Sequence, residues 1–275
     1  AEDQVVHSTI EPRFWKSRAD FRYSGRVYER LNLSSDLRFI EDPALRIVRL
    51  EGSQDLEEMG QTATRNEALV MRQLEECPSD AHARYCWAVT RMWVGDYESA
   101  LNEFQSIIHE QPPSDRVRSA YVFACECLRK SGRPKEGFEL GLRGTEIASN
   151  YGELWFYAGR AALEADLRIK AEGAFRFAKR TVSNPTPDLF REPSIAEWRA
   201  DLGRAQAFAS LRNVDQTEKV LGELRTRIPV GTIADVDGDF SHIWLQLDEP
   251  QRAWNTIEPW LEKAPESTVV PFLNF

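Results

Sequence analysis

Residues 81–112 read AHARYCWAVTRMWVGDYESALNEFQSIIHEQP. Two short amphipathic segments flank Gly95-Asp96, and Pro112 closes the second. Helical spacing sets Ala100 and Phe104 on one face of that second segment. A small residue lets two helices cross closely, a large aromatic fills the gap beside it, and proline cannot continue a helix. A hairpin this short cannot bury its own apolar face, so the stretch predicts copies of itself on either side.

Four copies follow. The next pairs SAYVFACECLRK with PKEGFELGLRG around a break at Ser131-Gly132, and its second helix opens on Pro134, a residue suited to a first helical turn. The third carries Trp155, Ala158-Gly159, Ala162, Ala171, Phe175 and Ala178 in a small–large–small order. The fourth pairs SIAEWRADLGRAQAFASL with DQTEKVLGELRTRI, and the fifth pairs DFSHIWLQL with PQRAWNTIEPWLEKA. Helix breaks near 95, 132, 166, 212 and 248 give steps of about 37, 34, 46 and 36 residues. The long step contains the proline-rich VSNPTPDLFREPS, an insert expected near 183–194. Helical spacing of Ala63, Asn66, Leu69, Val70 and Leu74 predicts a capping helix over about 61–77.

The layout resembles the tetratricopeptide repeat, whose nominal period is about 34 residues. The expected fold is mainly α: a tetratricopeptide-type α-solenoid of about five helix pairs over residues 59–275, behind a short strand-containing lead at 1–58. In that lead RFWKSRADFRYSGRVYERLNL and LRIVRLEG are aromatic, basic and β-branched, a pattern of short strands.

A second resemblance rests on Arg13 and Trp15, Gly25-Arg26-Val27-Tyr28-Glu29, Ile47 to Gly52, Arg65-Asn66 and Pro78-Ser79-Asp80 in that order. The order resembles the C-terminal end of a family-two glycosyltransferase catalytic domain running into helical repeats. The resembling enzymes usually carry His before the Glu and in the following strand, where this chain has Tyr28 and Arg49. A phenol and a guanidinium ordinarily neither bind a metal nor shuttle a proton at neutral pH. The nucleotide-sugar half of such an enzyme would lie upstream of residue 1. The resemblance therefore implies an acceptor-handling region that is not catalytic alone, with Glu29 and Tyr28 as weak catalytic candidates and a separate catalytic domain as a possible companion.

The net charge of −9, with basic residues dispersed, argues against nucleic acid as a partner. No run of about 18 uncharged apolar residues occurs, and the opening AEDQVVHSTIEPRFW lacks a secretory signal layout, so no membrane is expected and the reading is cytoplasmic or soluble intracellular, compatible with membership of a larger particle. Cys77, Cys86, Cys125 and Cys127 fall in apolar helical patterns and read as reduced packing residues. Asp235-Val-Asp237-Gly-Asp239 has a metal-like spacing but reads as a loop and helix N-cap, and His7, His82, His109 and His242 are scattered. No metal site and no cofactor are expected.

Recognition remains. In such repeats the first helix of each pair lines a groove, which places there His82, Tyr85, Val89, Met92 and Trp93, then Glu126, Arg129 and Lys130, then Glu153, Phe156 and Arg160, then Arg199 and Gln206. Aromatics and arginine are the types that anchor protein interfaces. Tyr85 and Trp93 read equally as core packing. The expected function is a protein-binding module that holds a protein partner or acceptor. The alternatives are a glycosyltransferase completed by a separate donor-binding domain, and a structural scaffold of a larger assembly.

Overall fold

The computed structural model describes residues 23–24, 26, 30–31, 56–110, 112–181, 189–228 and 233–261. The fold is mainly α and of the tetratricopeptide type, with eleven α-helices among the described residues. A two-residue antiparallel pair, β1 (Tyr23–Ser24) with β2 (Arg30–Leu31), joins Tyr23 to Leu31 and Ser24 to Arg30. Most of the lead at 1–58, with Tyr28 and Glu29, lies outside the described residues.

The helices form two compact units. The first contains α1 (Leu56–Glu76), α2 (Ala81–Trp93), α3 (Tyr97–Glu110), α4 (Asp115–Lys130) and α5 (Pro134–Ile147), with Leu189 and Phe190. The second contains α6 (Gly152–Glu164), α7 (Arg168–Arg180), α8 (Ala200–Ser210), α9 (Val214–Arg225), α10 (Ile233–Gln246) and α11 (Pro250–Leu261). A π-helical turn, Ile195–Arg199, leads into α8, and the Ala200 N–H reaches back to the Ile195 carbonyl.

Each helix pair is broken by one device. Gly95, Gly132, Asp166, Arg212 and Asp248 hold left-handed backbone at φ 85, 75, 59, 58 and 63°. In every case this residue's N–H bonds three residues back and the next N–H five back: Gly95 to Met92 and Asp96 to Arg91 at 3.1 and 2.9 Å, Asp248 to Leu245 and Glu249 to Trp244 at 3.0 Å each. This double bond satisfies carbonyls orphaned at a helix C-terminus and turns the chain. The breaks therefore fall at the positions expected from sequence. Helix starts are capped by side chains: the Asp80 carboxylate accepts from the His82 and Ala83 amides, and Asn213 from Gln216.

In the first unit, α1 covers the open face of the first pair, where Val70 packs with Cys86, Leu69, Leu74 and Trp87. Arg91, half-buried, donates to Glu67 of α1 at 2.8 Å and also to Asp96. Arg84 ties α2 to α3 through Glu103, Ser106 and Glu110. The Gln73 side chain works in two directions, its Oε1 accepting from the Arg26 N–H at 2.8 Å and its Nε2 donating to Asp80 at 2.7 Å. Arg26 further grips both Glu76 oxygens. Cys86, Cys125 and Cys127 are buried, whereas Cys77 is exposed just past the end of α1, where the apolar stripe has run out.

In the second unit the deciding contact is Phe175 of α7, which is 1% exposed. Its ring lies against Gly159 of α6 on one side and Gly203 of α8 on the other, so close that a Cβ would meet it at 2.9 and 2.6 Å. Gly159 and Phe175 belong to the small–large pattern read in the sequence, and Gly203 of the next helix adds a second bare backbone to it. The core continues through Leu202, Leu221, Leu224, Val236, Phe240, Ile243 and Trp244.

The Asp235–Asp239 stretch corrects the sequence reading. It lies inside α10 and not in a loop, because the buried stripe Val236, Phe240, Ile243 and Leu247 runs at helical spacing from its first turns. Asp237 is buried and accepts from Arg225 at 3.1 Å. The insert is helix-free at Leu189–Glu192, and residues 182–188 lie outside the described residues.

Candidate peptide groove

The first helices of the last three pairs, α6, α8 and α10, enclose a groove of about 410 Å³ in the second unit. Its floor is apolar: Phe156 and Phe175 are buried, and Leu202 and the half-buried Trp198 adjoin them. Small backbone at Gly203 leaves the floor recessed. The rim is polar and of both signs, with Arg160, Arg199 and Gln206 together with Glu164 and Asp239.

The two arginines are positioned by the ring beneath them. Arg199 lies 4.9 Å from the Phe156 centroid, and Arg160 lies 6.0 Å from Phe156 and 5.6 Å from Tyr157. A guanidinium over an aromatic face is held in its plane by the ring's quadrupole. Arg199 also pairs with Glu192, which accepts from the Tyr157 hydroxyl at 3.1 Å. The Glu192 N–H in turn donates to Glu153 at 3.1 Å. Burial pushes the Glu153 carboxyl above the usual carboxylate range, only partly offset by its hydrogen bond and by Arg191.

Below the groove, Asp201 is buried and accepts from Lys179 at 2.7 Å and Arg227 at 2.5 Å. Burial alone would raise this carboxyl, but the Lys179 and Arg227 hydrogen bonds outweigh it and hold it below its ordinary value. The network ties α8 to α7 and to the segment just after α9.

Of the sequence-derived groove residues, Phe156, Arg160, Arg199 and Gln206 line this one cavity, and Glu153 is buried beside it. The others belong to the first unit. Tyr85 packs edge-on to Phe104 at 6.0 Å and near Phe123 at 6.1 Å, half-buried in an aromatic cluster. Trp93 is 66% exposed at the end of α2. His82 lies against the Cys86 sulfur, and Val89 and Met92 are half-buried. Arg129 is buried in a two-pronged ion pair with Glu126, whereas Lys130 is exposed. Sequence reasoning missed Trp198 and Asp239. Trp198 sits in the π-helical turn, where the ordinary 3.6-residue count is off by one, and Asp239 was hidden by reading its segment as a loop.

Among the described residues no cluster of three or more His, Cys, Asp or Glu could hold a metal, and no helix is long and apolar enough to cross a membrane.

No protein-family model and no curated protein matches the sequence. Solved structures do match, at the level of fold. A chain of the APC/C hetero-tetramer Cut9–Hcn1 superposes with TM-score 0.58 at 13% identity over 75% of this chain, which spans 38% of that one. A tetratricopeptide repeat protein from Parabacteroides merdae gives 0.57 at 13% identity, covering 76% of this chain and 80% of its own. Yeast Tom70 gives 0.53 at 14% identity, over 74% of this chain and 39% of its own. The chain thus has a tetratricopeptide-type fold.

Proposed function

We propose that this chain is a protein-recognition module that binds a partner segment in the α6–α8–α10 groove. The observation that carries the reading is the convergence of Phe156, Arg160, Arg199 and Gln206, spread over some fifty residues of sequence, around one recessed apolar floor. A cavity of this size takes a few side chains of a peptide, and deep apolar burial with a few oriented polar groups is what gives such sites affinity and direction. The floor suits one large apolar side chain. The rim, with Arg160, Arg199, Glu164 and Asp239, suits a segment that carries charged residues of both signs beside that anchor.

Selection of peptides on the purified chain tests this. Selected peptides should carry an apolar anchor, and Gln206→Trp, which fills the groove from its rim, should weaken them at least tenfold. Peptides that bind the Gln206→Trp chain as tightly as the original would overturn the groove assignment.

A second reading keeps the family-two glycosyltransferase resemblance: the chain handles a protein acceptor for a separate donor-binding domain. The contact of Arg26 favours it, because this residue of the lead is tied through Gln73 to Asp80, the cap of the first repeat. A companion chain that binds residues 1–58 and transfers sugar only in its presence supports this reading. Sugar transfer unaffected by Glu29→Ala removes Glu29 from it.

A further inference from the structure

Away from the groove just described, the first unit contains a pocket that the chain fills with itself. Phe190 packs against Phe123 of α4 with ring centroids 4.8 Å apart and the ring planes tilted by 55°. Phe123 in turn touches Phe104 at 5.6 Å and Tyr85 at 6.1 Å, so Phe190 completes a four-ring cluster. One turn before Phe123 on the same helix face, Ser119 accepts a hydrogen bond from the Phe190 N–H at 2.9 Å. Ser119 is fully buried, and its own hydroxyl proton is committed to the Asp115 carbonyl at 2.9 Å. Toward Phe190 it therefore presents lone pairs alone, and the group that fits is a backbone N–H. Leu189 is buried beside it.

These contacts specify a ligand. The acceptor at Ser119 reads the main chain and the rings read an aromatic side chain on the same residue, as in recognition of an extended peptide. Nothing in the contact depends on the residue belonging to this chain. We propose that this α4 slot is a binding subsite for an aromatic residue on an extended partner peptide, and that Phe190 is its tethered internal occupant, which the partner must displace. The site is separate from the α6–α8–α10 groove and does not depend on it. A tether of this kind acts as a competitor at an effective concentration on the order of millimolar. If the tethered segment has an intrinsic Kd of about 10 μM for the slot, a partner peptide is weakened about a hundredfold in the intact chain.

The probe is a fluorescent peptide of residues 186–193, TPDLFREP. The Phe190→Ala chain should bind it at least about tenfold more tightly than the unmodified chain does. Ser119→Ala added to Phe190→Ala should reduce that binding several-fold, and a probe with Ala for its Phe should not bind. Hydrogen exchange on the unmodified chain gives an independent measurement: excess unlabelled peptide should accelerate exchange of the Phe190 amide. Equal probe affinity for the two chains, or binding that ignores the probe's Phe, would overturn the proposal. Should Phe190→Ala fail to fold, an exchange rate unmoved by saturating peptide overturns it instead.

Discussion

Gly203→Ala adds one methyl group to α8 where the Phe175 ring already stands. The new carbon would meet three ring atoms at 2.6, 2.7 and 2.8 Å, against about 3.5–4.0 Å for comfortable carbon contact. Something must move by about 1 Å. The ring has nowhere to go, because Gly159 receives it equally tightly on the far side. Overpacking of a filled core costs about 1–3 kcal/mol, and replacing a helical glycine by alanine returns about 1 kcal/mol. With both sides blocked, a net loss of about 1–2 kcal/mol is expected. Gly173→Ala and Gly222→Ala have open space at the same atom, so the propensity term stands alone and each should gain about 0.5–1 kcal/mol. Urea titrations followed by circular dichroism at 222 nm compare the three variants. Phe175→Leu in the Gly203→Ala background should recover part of the loss, with a coupling of about 1 kcal/mol. A Gly203→Ala chain as stable as the Gly173→Ala one refutes the idea that the ring sets the helix spacing.

Other perturbations follow from the same contacts. Asp248 is exposed and left-handed at φ 63°, so Asp248→Gly should stabilise by about 0.5–1 kcal/mol in thermal melts, whereas Gly95→Ala, at φ 85°, should destabilise by about 1 kcal/mol. Asp201 is held below its ordinary pKa, so its stabilisation is present above the unfolded value and is lost as pH falls through the folded one. Asp201→Asn should therefore cost about 2 kcal/mol at pH 7, and the difference from the parent should shrink below about pH 4 in pH-dependent denaturation curves. Glu153 has the opposite sign: with its pKa raised, the destabilisation builds as pH rises above the unfolded value and is complete above the folded one, so Glu153→Gln should gain stability at pH 8 relative to pH 4. Of the four cysteines, Cys77 alone should react promptly with a thiol reagent at pH 8. Cys127, pushed up to about 12 chiefly by burial, should join Cys86 and Cys125 in reacting only after unfolding.

The repeat register was legible because it is written in local chemistry. Gly95 and Gly132 announce a left-handed turn, and Asp166, Arg212 and Asp248 were found by the period even though their residue types do not require one. Phe175 beside Ala158-Gly159 was also visible, since the size pattern is a packing instruction, but Gly203 as its second seat was not. Partnership across distance was not legible. Nothing in the sequence says that Phe190, 67 residues after Phe123, fills its aromatic cluster, or that the groove arginines are braced on Phe156 and Glu192. The expectation of a loop at Asp235–Asp239 failed because three acidic residues hid a helical stripe beginning at Val236. Tyr28 and Glu29 stand outside the described residues, so the lead's chemistry rests on its sequence resemblance.

The Phe175 wedge separates two properties that are usually tied together in a folded chain. The third and fourth pairs meet through a ring seated between two glycines, although the sequence between their breaks is about ten residues longer than elsewhere. Their alignment is carried across space and owes nothing to the length of the connection. Connection length at this junction can consequently vary while the neighbouring helices keep their spacing, provided that Phe190 and Glu192 keep their contacts.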